Sequence, residues 1–157
     1  MIKQVTTILL ATLISTCITT VAVAGDVNGL IKKKSAHSVS VTLDRLEGLL
    51  KKKGITIAAR WKHSEKAKAV NIPMRDTELL IFGNPKLGSH LMTSKQTVAI
   101  DLPMKAIAWK DEKGQVWIAY NDPNYIAKRH GVTDRPEQLK KMSGALAKLT
   151  SKAAAKD

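Results

Sequence analysis

The hydrophobic positions of this chain follow two different periods. Val39, Leu43, Leu46 and Leu50 step by four, three and four, the spacing of one helical face. Ser38 or Ser40 can cap the start of that helix, and Lys51, Lys52 and Lys53 stand where the helix dipole favours cations. Gly54 can close it in the left-handed conformation. Residues 55–63 alternate instead: Ile55, Ile57, Ala59, Trp61 and His63 on one face, Thr56, Ala58, Arg60 and Lys62 on the other. This predicts a half-buried strand. Residues 64–74 are a polar connection with room for a helical turn. Residues 77–84 carry the continuous run Leu79-Leu80-Ile81-Phe82, which suits a central strand, and Gly83-Asn84-Pro85 stops it.

Residues 85–102 read as a long connection with a turn of helix near Gln96. Residues 104–110 and 116–122 form a hairpin around Asp111-Glu112-Lys113-Gly114, with Gly114 suited to a left-handed position. On its second strand Val116, Ile118 and Tyr120 point inward; Trp117, Ala119 and Asn121 point the other way. Asp122 then caps a short helix with Pro123 at its first position, and Gly131 closes it. A last helix starts near Asp134, with Glu137 placed to complete a capping box, and buries Leu139, Met142, Leu146 and Leu149. With residues 27–34 as a first strand, the order is strand, helix, four strands, helices. That predicts one α+β domain over residues 25–150, with a mostly antiparallel sheet and helices on one face. The Ala/Lys-rich residues 151–157 are expected to fray.

The start of the chain has a different character. Lys3 is the only charge before Asp26, residues 8–23 are apolar and Thr-rich, and Ala22-Val23-Ala24 places small residues where a signal peptidase reads. We expect a secretory leader cleaved after Ala24 and a periplasmic protein. A retained anchor and a lipidated Cys17 are the alternatives, disfavoured by the short, Thr-diluted stretch and by Thr16 before the cysteine. Cleavage removes the single cysteine, so the mature chain has neither a disulfide nor a thiol nucleophile.

The chain has 157 residues, 26 Lys+Arg against 13 Asp+Glu, and a formal charge of +13. In an exported protein this reads first as a solvated basic surface, with attraction to an anionic lipid surface or an acidic partner as the alternative; nucleic acid is disfavoured because no aromatics that could stack bases interleave with the lysine runs.

Three segments resemble the hallmark blocks of the Domain of Unknown Function 302 family. One is Thr77 through Gly83-Asn84-Pro85-Lys86 to Leu91-Met92. The second is Asp101-Leu102-Pro103-Met104-Lys105 with Trp109. The third runs from Val116-Trp117 through Tyr120-Asn121-Asp122-Pro123 to Arg129-His130-Gly131. The resemblance implies a small α+β fold and a homodimer, and it carries no settled activity.

Candidate chemistry is sparse. His63, in phase with an apolar face, can bind a ligand or move a proton. The Gly83–Ser89 segment has two glycines, but no Lys follows Gly88 and Pro85 removes an amide, which excludes a nucleotide loop. Asn84 and Lys86 can still hold a small anion. His130, at a helix end, reads as a dipole-stabilised charge. His90 and Met92 hint at copper, but core roles and the missing partner ligands weigh against a metal. No cofactor is expected. The favoured reading is a small-ligand, possibly anion-binding, domain lined by His63, Asn84, Lys86, Lys105, Asn121, Asp122 and Tyr125. The alternatives are an enzyme using His63 with Asp101 or Asp122 as acid and base, and a membrane-surface binder.

Overall fold

The computed structural model of the protein describes residues 28–156. The leader and its cleavage point lie outside the described residues. Five strands form a single sheet: β1 (Leu30–Ser35), β2 (Thr56–Lys62), β3 (Thr77–Gly83), β4 (Met104–Lys110) and β5 (Val116–Asn121). Their order across the sheet is β1-β5-β4-β3-β2, and every neighbouring pair is antiparallel. The expected α+β class is the observed one.

Helix α1 (Val39–Lys52) carries the chain from β1 at one edge to β2 at the other. Ser38 caps it by accepting from the Val41 amide, and Gly54 lies past its end at φ +66°. Its face of Val39, Leu43, Leu46 and Leu50 is fully buried against Leu80, Phe82, Ala106, Ile118 and Tyr120 of the sheet. The closing helix α5 (Pro136–Ala154) lies beside α1 and adds Leu139, Met142, Leu146 and Leu149 to the same core.

Two expectations for α5 are corrected. Pro136 takes the first helical position and Arg135 precedes it, so Asp134 and Glu137 make no capping box. Asp134 instead accepts from Ser94 Oγ at 2.5 Å. The helix also does not fray at residue 151. It continues to Ala154, with Ala153 and Ala154 buried. Arg45 Nε donates to the Ala153 carbonyl at 3.0 Å, and the Ala36 amide donates to that of Ala154 at 2.9 Å.

The strict alternation expected for residues 55–63 fails for a local reason. The β2–β3 register shifts between Ile57 and Ala59, a β-bulge that turns every later side chain to the opposite face. Arg60 therefore lies opposite Leu80 on the helical side, and Trp61, opposite Leu79, is 49% exposed on the other. His63 leaves the strand altogether and opens a short helix, α2 (His63–Ala69). The 85–102 connection holds more structure than its sequence announced. Asn84 caps α3 (Pro85–Ser94), and a 3-10 turn spans Gln96–Ile100. The helix α4 (Pro123–His130) has its expected Asp122 cap and its Gly131 terminus at φ +70°.

Candidate functional site

The end of the sheet where β3 stops and β4 starts faces a cavity of about 400 Å³. Its inner wall is the core itself: Leu50 of α1, Phe82 of β3, Met104 of β4, and Met142, Leu146 and Leu149 of α5. Its outer wall is α3, through Leu87 and Met92, together with Ala99, Leu102 and Pro103. Gly83 allows this closure, since a Cβ there would meet Pro103 Cβ at 3.3 Å. The volume falls within the range of small-molecule sites. Among the described residues, no ionisable side chain lines it.

Among the described residues, the polar side chains of the lining are Thr56, Asn84 and Ser89. Asn84 Oδ1 accepts from the Lys86 amide at 3.0 Å. With only the Asn84 side-chain amide and the Thr56 and Ser89 hydroxyls to replace its hydration shell, a bare inorganic anion is poorly matched to this lining, which suits apolar matter. Charge lies nearby, outside the lining. Lys86 is exposed beside Pro85 on α3. Lys141 and Lys148 are exposed on α5, four residues before and three after the lining residue Ala145, on the same side of the helix.

The seven side chains expected to line one site do not converge. Six come from one end of the sheet, but only Asn84 reaches the cavity. Lys105 Nζ donates to the carbonyls of Asp101 and Pro103 at 3.1 Å each. Asp122 accepts from the Asn124 amide at 2.9 Å as the α4 cap. Asn121 pairs with Leu30 on the face away from the helices. The Tyr125 ring covers Gly29, where a Cβ would come within 2.2 Å of its Cγ.

His63 lies at the opposite end. It follows Lys62, which pairs with Glu78, which pairs with Ala108, whereas Asp101 precedes Met104 and Asp122 follows Asn121 at the far end of β4 and β5. The acid–base pairing of His63 with either aspartate is therefore not formed. His90 and Met92 also separate: His90 is exposed, while Met92 faces the cavity.

The sequence hid one polar node. His130 Nε2 lies 2.7 Å from Asp101 Oδ2, and its Nδ1 lies 3.0 Å from Thr97 Oγ1. Arg129 Nη1 reaches both Asp101 oxygens at 3.1 and 3.2 Å. With the imidazole only 8% exposed and both ring nitrogens engaged, the node ties the 3-10 turn to the end of α4. At the end of α4, His130 thus joins two elements with its ring largely out of solvent.

The second hidden cluster surrounds Arg60. Its guanidinium donates to Glu78 Oε2 from Nε at 2.9 Å, to Asp44, and to the carbonyl and hydroxyl of Ser40 at 3.1 and 3.2 Å. Desolvation works against its charge, but the Asp44 and Glu78 carboxylates outweigh it and raise its pKa above the ordinary value. Only the bulge brings Arg60 to this side.

Residues 31–149 match the family described as "Domain of unknown function DUF302". The chain belongs to the DUF302 family. The fold of this DUF302 chain is similar to that of the "uncharacterized conserved protein DUF302 from Bacillus stearothermophilus". The two agree with a TM-score of 0.72 over 80% of this chain and 98% of that one, at 17% identity.

Curated relatives include "Fluoride-specific ion channel FluC 1" of Brucella suis biovar 1 (strain 1330). That protein is 41% identical over 105 residues, covering 67% of this chain and 41% of the relative. "Fluoride-specific ion channel FluC 2" of Brucella melitensis biotype 1 is also 41% identical over 105 residues, covering 67% of this chain and 39% of that protein. The chain thus spans about two fifths of the length of these relatives. Among the described residues, no helix is long and apolar enough to cross a membrane.

Proposed function

We propose that this DUF302 chain is a periplasmic binding module for a small amphipathic ligand, an apolar body carrying an anionic head. The observation behind this reading is the cavity of about 400 Å³ with an apolar lining and exposed lysines on two of the helices that form it. An apolar chain or ring system gains by leaving water there, roughly 25 cal/mol per Å² buried. A carboxylate or phosphate head stays outside, near Lys86, Lys141 and Lys148, and keeps most of its hydration. The lysines orient the ligand, and the cavity supplies the affinity. The leader motif ending at Ala24 supports the periplasmic setting.

The test is a native mass spectrum of the protein recovered from the periplasm of producing cells, followed by titration with a fluorescent medium-chain fatty acid. The expected results are a chain beginning at Gly25, an organic adduct, and saturable fatty-acid binding. Ala145→Trp, which fills the exposed lip of the cavity, should abolish binding and leave the melting temperature within a few degrees. Absence of both adduct and saturable binding would overturn the reading.

The relatives favour a second reading. A segment 41% identical to this chain is part of proteins named fluoride-specific ion channels. A role in fluoride handling would then be that of a module acting together with a membrane channel. Deleting the gene should then lower the fluoride concentration the cell tolerates. Unchanged tolerance removes this reading.

A further inference from the structure

The sheet has a second face, which α1 and α5 do not touch. By strand register it presents Leu79 and Ile81 of β3, Ile107 and Trp109 of β4, and Trp117 of β5. The bulge adds Trp61. All three tryptophans of the chain therefore lie on this one face. Trp109 and Trp117 are direct cross-strand partners, stacked at 6.4 Å between ring centroids.

Lysines share the surface. Lys34 Nζ is 5.7 Å from the centre of the Trp117 ring, and Lys66 Nζ is 5.3 Å from that of Trp61. Lys32 faces the same way, opposite Ala119. At one border, between α2 and β3, Val70, Ile72 and Met74 are 64%, 58% and 52% exposed. The neighbouring carboxylates already have partners: Asp111 with the Trp117 indole, Glu65 with Lys62, and Asp76 with Lys110.

We propose that this face docks on the surface of an anionic lipid bilayer. Indole rings concentrate at the membrane–water boundary, where the apolar ring and its N–H each find a suitable environment. Lysines near an anionic leaflet add an electrostatic attraction that salt screens. A second copy of the chain on the same face would gather the lysines of both copies into one interface, whereas phosphate headgroups complement them. The inference does not rest on the ligand cavity, which lies between α3, α5 and the end of the sheet.

The experiment is co-sedimentation of the purified protein with vesicles of equal parts phosphatidylglycerol and phosphatidylcholine at low salt. Phosphatidylcholine vesicles serve as the control, and bromine-labelled acyl chains serve as quenchers. We expect binding to the anionic vesicles alone, with quenching of tryptophan emission. Trp61→Ser combined with Lys32→Glu and Lys34→Glu should weaken binding at least about tenfold. These are surface positions, and an unchanged circular dichroism melt confirms the fold.

A charge-matched control, Lys51→Glu with Lys52→Glu at the end of α1, should cost less than about threefold. Four results would overturn the proposal: no binding at low salt, bound protein without bromine quenching, an equal loss in the α1 control, or a dimer in lipid-free sedimentation that Trp61→Ser dissociates. The last would assign the face to a second copy of this chain.

Discussion

Replacing Arg60 by alanine removes the one cation among the described residues that faces Glu78, Asp44 and Glu47 together. Glu78 is 8% exposed, and its carboxylate holds the guanidinium through Nε at 2.9 Å and Nη2 at 2.7 Å. Breaking a buried pair from one side costs about 3–5 kcal/mol, because the remaining charge stays desolvated. Here the arginine side chain retains 19% exposure and Asp44 lies at the surface with 59%, so water recovers part of that loss. We expect a destabilisation of about 3 kcal/mol. At roughly 4 °C per kcal/mol for a chain of this size, the melting temperature should fall by about 10 °C.

The assay is urea unfolding of Arg60→Ala, Glu78→Gln and the double variant. In the double-mutant cycle, Glu78→Gln should relieve much of the Arg60→Ala penalty, with a coupling of about 2 kcal/mol. A loss below about 0.5 kcal/mol, or a coupling near zero, would refute the placement of Arg60 on the helical side and the bulge that puts it there.

Gly29→Ala should cost about 2 kcal/mol or more, since φ is +78° and the new Cβ would enter the Tyr125 ring; Tyr125→Ala in the same chain should restore part of it in a thermal melt. The Asp111 carboxyl is held below its usual value, first by the Trp117 indole and then by the amides of Gln115 and Lys113. Its contribution is present above the unfolded value and lost as the pH falls through the folded one. The gap in stability between wild type and Asp111→Asn at neutral pH should therefore close in acid below about pH 4, and a gap that persists there would contradict this origin. Ending the chain at Ser151 removes buried Ala153 and Ala154 and the carbonyls that Arg45 and Ala36 grip; chemical denaturation should show a loss of about 2–3 kcal/mol.

Strongly periodic stretches could be read from the sequence alone. The faces of α1 and α5 and the hairpin around Gly114 stand where the pattern put them, since each depends on residues only a few positions apart. The β2 bulge could not be read this way. One extra residue inverts every side chain after it, and nothing in the alternation of 55–63 marks the place. In α3 a capping signal competes with a strand signal. Asn84-Pro85 repeats the chemistry of Asp122-Pro123, a cap followed by proline at the first helical position, yet it reads as a strand stop because the preceding run is so apolar. The cavity had no local signature, because its wall draws on α1, β2, β3, α3, the 3-10 turn, β4 and α5. The Asp101–His130 node likewise joins residues 29 positions apart.

The strand order bears on how the molecule comes into being. β1 forms its ladder with β5, and Ala36, just after β1, is held by the end of α5. On a nascent chain β1 therefore has no strand partner until β5 has been made. Pairings of such wide separation in sequence close slowly and leave apolar surface open in the interval. The chain cannot complete its fold from its front half while synthesis continues. β2, β3, β4 and β5 pair with their neighbours in sequence, so β1 is the one strand among the described residues that waits, and the Leu-rich face of α1 needs shielding until the sheet is there to cover it.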